Sequence, residues 1–186
     1  MNHIYNQYQF GENWFIYPQL YKDMVNLFPS GSHFVEVGSW KGKSTAYLIV
    51  EIINSGKNIK FECVDTWEGS IEHGNIDSNT LYNTFLQNMS PLKDYFTHHK
   101  MKSVDASKMY KDESLDFVFI DACHEYHCVR DDISSWLPKV KKGGVIAGHD
   151  YCAEKAFPGV NQAVDEHFAH KTIEIHQGNC WLHRVI

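Results

Sequence analysis

A chain of 186 residues with 43% hydrophobic and 22% charged content is sized for one soluble globular domain with a sizeable core. A net charge of −6 excludes nucleic-acid binding by broad phosphate neutralisation, and no apolar run is long enough for a membrane span. The start, MNHIYNQYQF, lacks a basic and an apolar region, and five cysteines are an odd number without framework spacing, so a reduced, cytoplasmic setting is expected.

Residues 1–32 form an N-terminal aromatic and helical segment, and residues 33–186 the main domain. Residues 2–17 are rich in aromatics, including Tyr8, Phe10, Trp14, Phe15 and Tyr17. They suit a lid over a ligand, packing at a sheet edge, or a contact in a homo-oligomer. A helix is predicted over 18–28, with Pro18 in its first turn. The first strand, 33–38, runs into EVGSWKGKST and a helix that stops near Asn54-Ser55-Gly56. Strand–glycine turn–helix is a cradle for an anionic or polar cofactor, because Gly38 and Gly42 allow close backbone approach and the helix start carries unpaired N–H groups.

The second strand is 60–65, and a helix over 77–89 carries Leu81, Phe85 and Met89 on one stripe. A third strand lies near 96–101. The fourth, 115–121, reads LDFVFID and is apolar enough to be a central parallel strand. A helix over 125–137 ends at Pro138. Lys141 to Gly144 turn into a fifth strand, 145–148. Pro158-Gly159 form a loop before a helix over 160–169, and strands 172–176 and 180–185 close as an antiparallel hairpin. The fold class is α/β: a doubly wound, mainly parallel, seven-stranded sheet with a C-terminal antiparallel hairpin.

Ligands of such sheets bind beyond the carboxyl ends of the strands. Those ends carry Gly38, Ser39 and Gly42, then Asp65, Thr66 and Trp67, then Ser103, Val104 and Asp105, then Asp121 and His124, then His149 and Asp150. Asp65 can take both ribose hydroxyls or cap a turn. Trp67 can stack on an adenine or fill a groove. Asp121, His149 and Asp150 can hold a divalent ion that lowers a hydroxyl pKa, or Asp121 can hold a cofactor ammonium while the other two cap a loop. His124 suits proton removal near neutrality, or faces water at a helix start. His127, His167 and His170 read as solvated helix residues. Cys123, His124, His127, Cys128, His149 and Cys152 invite zinc, but without a structural-zinc spacing.

EVGSWKGKST, CVDTWEGS, LDFVFIDACHEYHCVRDDISSW, KKGGVIAGHDY and FPGVNQAVDEHF, in that order over 33–186, resemble class I S-adenosylmethionine-dependent O-methyltransferases of the cephalosporin-type and macrolide-sugar branch. The resemblance implies that Glu36, Gly38 and Ser39 line the methionine end of S-adenosylmethionine, with Gly42 and Ser44 completing the loop. It places Asp65 at the ribose and Ser103 and Val104 at the adenine, with Thr66 and Trp67 also counted among the cofactor-binding residues. It sets Asp121 near the transferring methyl as a magnesium ligand completed by His149 and Asp150, and His124 as general base. Those enzymes carry two acidic residues where this chain has His149-Asp150. That departure suits another divalent metal, or makes His149 a second base in a metal-free enzyme. The implied acceptor is a small molecule or glycan, with a sugar hydroxyl favoured, and segments 68–79 and 151–157 are expected to select it.

A P-loop nucleotide enzyme needs four residues between its first glycine and Gly-Lys-Ser, and here there are three. A nicotinamide enzyme lacks its GxGxxG. A non-catalytic, methyltransferase-like binding protein is the remaining alternative.

Overall fold

The computed structural model describes residues 1–70, 77–152, 156–168 and 173–186. Strands β1 (His33–Val37), β2 (Lys60–Asp65), β3 (Thr97–Lys100), β4 (Leu115–Ile120), β5 (Val140–Gly148), β6 (Glu174–His176) and β7 (Cys180–Arg184) form one seven-stranded sheet, ordered β3-β2-β1-β4-β5-β7-β6. The first five are parallel, and β7 runs antiparallel to both β5 and β6. The chain leaves β1 toward one edge and returns to β4 on its other side. The β1/β4 junction is therefore the topological switch point where ligands of such sheets sit.

Alternation along the strands explains the two layers of helix. Phe34, Phe61, Cys63, Phe117 and Phe119 face helices α1 (Pro18–Leu27), α2 (Lys43–Ser55) and α3 (Ser78–Met89). Val35, Val37, Val64, Val118 and Ile120 face α4 (Ser103–Ser107), α5 (Tyr126–Trp136) and α6 (Pro158–Phe168). A period of two is what a strand buried on both faces requires.

Helix ends follow local chemistry. Gly56, at φ 68°, closes α2, and the Asp77 carboxylate accepts from the Asn79 and Thr80 N–H groups to open α3. The Lys57 ammonium donates to the carbonyls of Val25, Asn26 and Phe28 and so completes the end of α1.

Four local expectations change. Lys141 to Gly144 lie inside β5, where the register against β4 shifts between Leu115 and Phe117. The extra residues are absorbed as a bulge, for which Gly143 (φ 79°) is suited. Pro158 and Gly159 begin α6 rather than precede it, since proline fits a first helical turn. Residues 103–107 form the short helix α4. The N-terminal segment sends Phe10, Phe15 and Tyr17 into the core beside α1 and α2. The expected helix end at 169, the strand start at 172, His170 and parts of 68–79 and 151–157 lie outside the described residues. Among the described residues no helix is long and apolar enough to cross a membrane.

Candidate active site

The glycine loop is built from beneath. Glu36 shares its face of β1 with Phe34, so its side chain enters the α1/α2 layer and is fully buried. Its oxygens accept from the hydroxyls of Tyr21 (2.7 Å), Ser39 (3.0 Å) and Thr45. Burial pushes the carboxyl up to about 7, against these donors and the Ser44 hydroxyl. Gly38 takes φ 90°, and a Cβ there would stand 1.9 Å from the Asp121 carbonyl oxygen. Glycine is thus required by the contact between the ends of β1 and β4. Gly42, at φ 88°, starts α2, and its missing Cβ leaves room for Met89.

Asp65 ties this loop to β2. One carboxylate oxygen accepts from the N–H groups of Ser39 (2.8 Å) and Trp40 (2.9 Å), the other from Trp67 N–H (2.7 Å). Burial raises its pKa, and these amides oppose the rise. In this structure Asp65 is the organiser of the turn, with its lone pairs directed to backbone.

The second half of the site stands at the ends of β4 and β5. Asp121 follows β4 and Asp150 follows β5. A left-handed backbone at Asp150 (φ 61°) and Cys152 (φ 67°) turns the chain sharply there. His124 Nε2 lies 3.0 Å from Asp150 Oδ2 and 3.6 Å from Asp121 Oδ1. His149 Nδ1 lies 3.3 Å from Asp150 Oδ2 and 3.6 Å from Asp121 Oδ2. The Tyr17 hydroxyl donates to Asp121 Oδ2 at 2.7 Å, and its ring packs on His149 with centroids 4.7 Å apart. Phe157 covers the His124 ring at 4.2 Å.

Charge is arranged in alternation. Burial works against an ionised Asp121, yet His149 and His124 hold its pKa well below the usual carboxylate range. Burial also works against a charged His149, yet Asp121 and Asp150 push it up to about 10. Asp150 is lowered by the same two imidazoles, against its own burial. The two imidazoles and the two carboxylates thus support one another's charged forms at the rim.

Several expected site residues sit elsewhere. Trp67 is fully buried against Tyr82, Phe85 and His98, and its indole N–H donates to the Trp40 carbonyl, so it is core and presents no face to an adenine. The Thr66 hydroxyl accepts from Glu68 N–H. Ser103 accepts from the Trp136 indole at 2.8 Å, while Val104 beside it is exposed. Asp105 pairs with Lys108. Glu36 supports the loop from below. Tyr17, one of the N-terminal aromatics, reaches Asp121 from 104 positions away, a contact that no spacing rule specifies.

The donor chemistry can be tested against the groups the sequence implies. Among the described residues, the ligand atoms of Asp121, His124 and Asp150 lie within 4.8 Å of one another. His124 takes the place in this trio expected for His149, whose Nδ1 lies 3.3 Å and 3.6 Å from the same two carboxylates. Two carboxylates and one imidazole suit a divalent ion of borderline softness more than magnesium. An ionised Asp121 abutting the glycine loop suits a cationic ligand. Of the cysteines and histidines that invite zinc, Cys152 is exposed, and Cys123 and Cys128 pair with each other.

A sequence family described as a methyltransferase domain matches residues 35–151. The uncharacterized protein y4gI of Sinorhizobium fredii is 27% identical over 118 residues, covering 62% of this chain and 13% of that protein, so the chain spans a small part of its length. Among solved structures, the O-methyltransferase NovP superposes with a TM-score of 0.70 at 16% identity, over 91% of this chain and 79% of that one. CalS11, a TDP-rhamnose 3'-O-methyltransferase of calicheamicin biosynthesis, gives 0.62 at 12% identity, over 90% and 76%. At such identities these likenesses show the fold.

Proposed function

We propose, from the premise that the chain belongs to this methyltransferase-domain family, that it moves a methyl group from S-adenosylmethionine to a hydroxyl oxygen of a sugar or glycan. The observation that carries the reading is His124 Nε2 at 3.0 Å from Asp150, beside an ionised Asp121 whose backbone carbonyl abuts the glycine loop. The sugar acceptor rests on the motif resemblance and on the sugar substrate in the name of CalS11.

The sulfonium of the bound donor supplies an already activated methyl group. The protein must align an acceptor oxygen with it and take that oxygen's proton. Asp121 attracts the donor's positive charge. Asp150 Oδ2, 3.0 Å from Nε2, orients the His124 ring for that proton transfer. As the hydroxyl proton moves to His124, Asp150 and Asp121 stabilise the imidazolium. Phe157 over the ring limits water at the base.

A second reading adds a divalent ion held by Asp121, His124 and Asp150, favoured by their mutual distances. It would polarise the acceptor hydroxyl. Chelation separates the two: turnover that survives chelator and dialysis supports the imidazole alone, and turnover restored only by a divalent ion supports the metal.

The base assignment is tested by His124→Ala. Turnover should fall about 100-fold or more, with affinity for S-adenosylhomocysteine nearly unchanged. Cofactor binding lost while the bound form turns over normally would contradict the role.

A further inference from the structure

Two cysteines beside the site are not used by the mechanism. Cys123 stands between Asp121 and His124, and Cys128 lies in the first turns of α5. Their sulfurs are 2.6 Å apart, well inside van der Waals contact, and both side chains are only partly covered. A disulfide needs about 2.05 Å, so sulfur movements of a few tenths of an ångström each would close it. Cys63 and Cys180 are buried, and Cys152 is exposed.

We propose that Cys123 and Cys128 are a redox modification site, a dithiol that a low-molecular-weight disulfide of the glutathione class converts reversibly to an intramolecular disulfide. One thiolate attacks a sulfur of the oxidised reagent, forming a mixed disulfide and releasing one reduced thiol. The second cysteine then attacks the protein sulfur of that mixed disulfide and releases the other. Two protein thiols are oxidised, one reagent disulfide is reduced to two thiols, and the two protons pass to the released thiolates. Burial pushes the Cys128 thiol up, so Cys123 makes the first attack, and the second step is favoured by the contact between the two sulfurs.

The bond would close a small ring, Cys123 to Cys128, that contains His124. The cross-link would thus restrain the segment by which His124 reaches Asp150. Disulfides that form in reducing compartments are mostly transient and catalytic or redox-sensing.

The test is equilibration of the full chain with mixtures of oxidised and reduced glutathione, followed by acid quenching and peptide mass mapping without reductant. The expected result is a Cys123–Cys128 cross-linked peptide, lighter by two hydrogens. It should grow with the oxidised fraction, vanish on reduction, and appear equally in Cys152→Ser. In Cys128→Ser, Cys123 should stop at the mixed disulfide with glutathione. The proposal is overturned if the full chain accumulates only mixed disulfides at Cys123 or Cys128, or if the cross-link joins Cys152 instead.

Discussion

Tyr17 and Glu36 show how single side chains set the charge of this site from outside it. The Tyr17 hydroxyl is buried and donates to an ionised carboxylate at 2.7 Å. A hydrogen bond to a charged group contributes about 1.5 kcal/mol or more, so Tyr17→Phe should lower unfolding free energy by about that amount in urea titration, with an unchanged m-value. No change in the midpoint would mean that the bond contributes nothing. Glu36 tests linkage. Its folded pKa of about 7 lies above the ordinary carboxyl value of 4.5, so the folded state holds the proton more tightly. The sign is therefore negative: stability falls as pH rises from about 4.5 to about 7 and is flat beyond, a loss of about 3 kcal/mol for this group. Glu36→Gln should remove most of that slope in melts run between these pH values. A variant with the parent's slope would assign the titration elsewhere.

At the scale of the element, the β1–α2 loop and the end of β4 are one packed unit. A Cβ on Gly38 would sit 1.9 Å from the Asp121 carbonyl oxygen, and φ is 90°. Gly38→Ala should cost on the order of 3 kcal/mol. Gly56→Ala, also at positive φ but with nothing within 4 Å, should cost about 1 kcal/mol. Chemical denaturation of the two variants checks the difference, and equal costs would show that backbone conformation alone matters at Gly38. This unit also marks where sequence reading stopped. LDFVFID and the HFVEV run state their strands through apolar content, and Gly56 and Asp77 state helix ends through their own chemistry. Orientation was harder to see. Whether Glu36 points to the cleft or into the α1/α2 layer depends on strand parity relative to Phe34, and Trp67 looks the same in sequence whether it stacks on a ligand or on Phe85. The Lys141–Gly144 turn signal was real, but β5 absorbed it as a bulge.

Across the whole molecule, the strand order brings residues distant in sequence to one rim. Asp121, His124, His149 and Asp150 meet because β4 and β5 are neighbours, which the chain order suggested and the pairing Ile120 with Gly148 realises. The N-terminal segment joins the same rim through Tyr17 and lies along the glycine loop, where Lys41 pairs with Glu12 at 3.0 Å and Lys43 donates to Asn13. The Gly-Lys-Ser that suggests a phosphate loop thus has its lysine directed to the chain's own N-terminal segment. The central claim is that this rim receives a methyl donor rather than a nucleotide. Its most direct test is calorimetric titration of the full chain with S-adenosylhomocysteine, ATP and NAD, each with and without a divalent ion. The account predicts saturable one-site binding of S-adenosylhomocysteine, weakened by Asp121→Asn, and none of ATP or NAD. Saturable binding of ATP or NAD without binding of S-adenosylhomocysteine would contradict it.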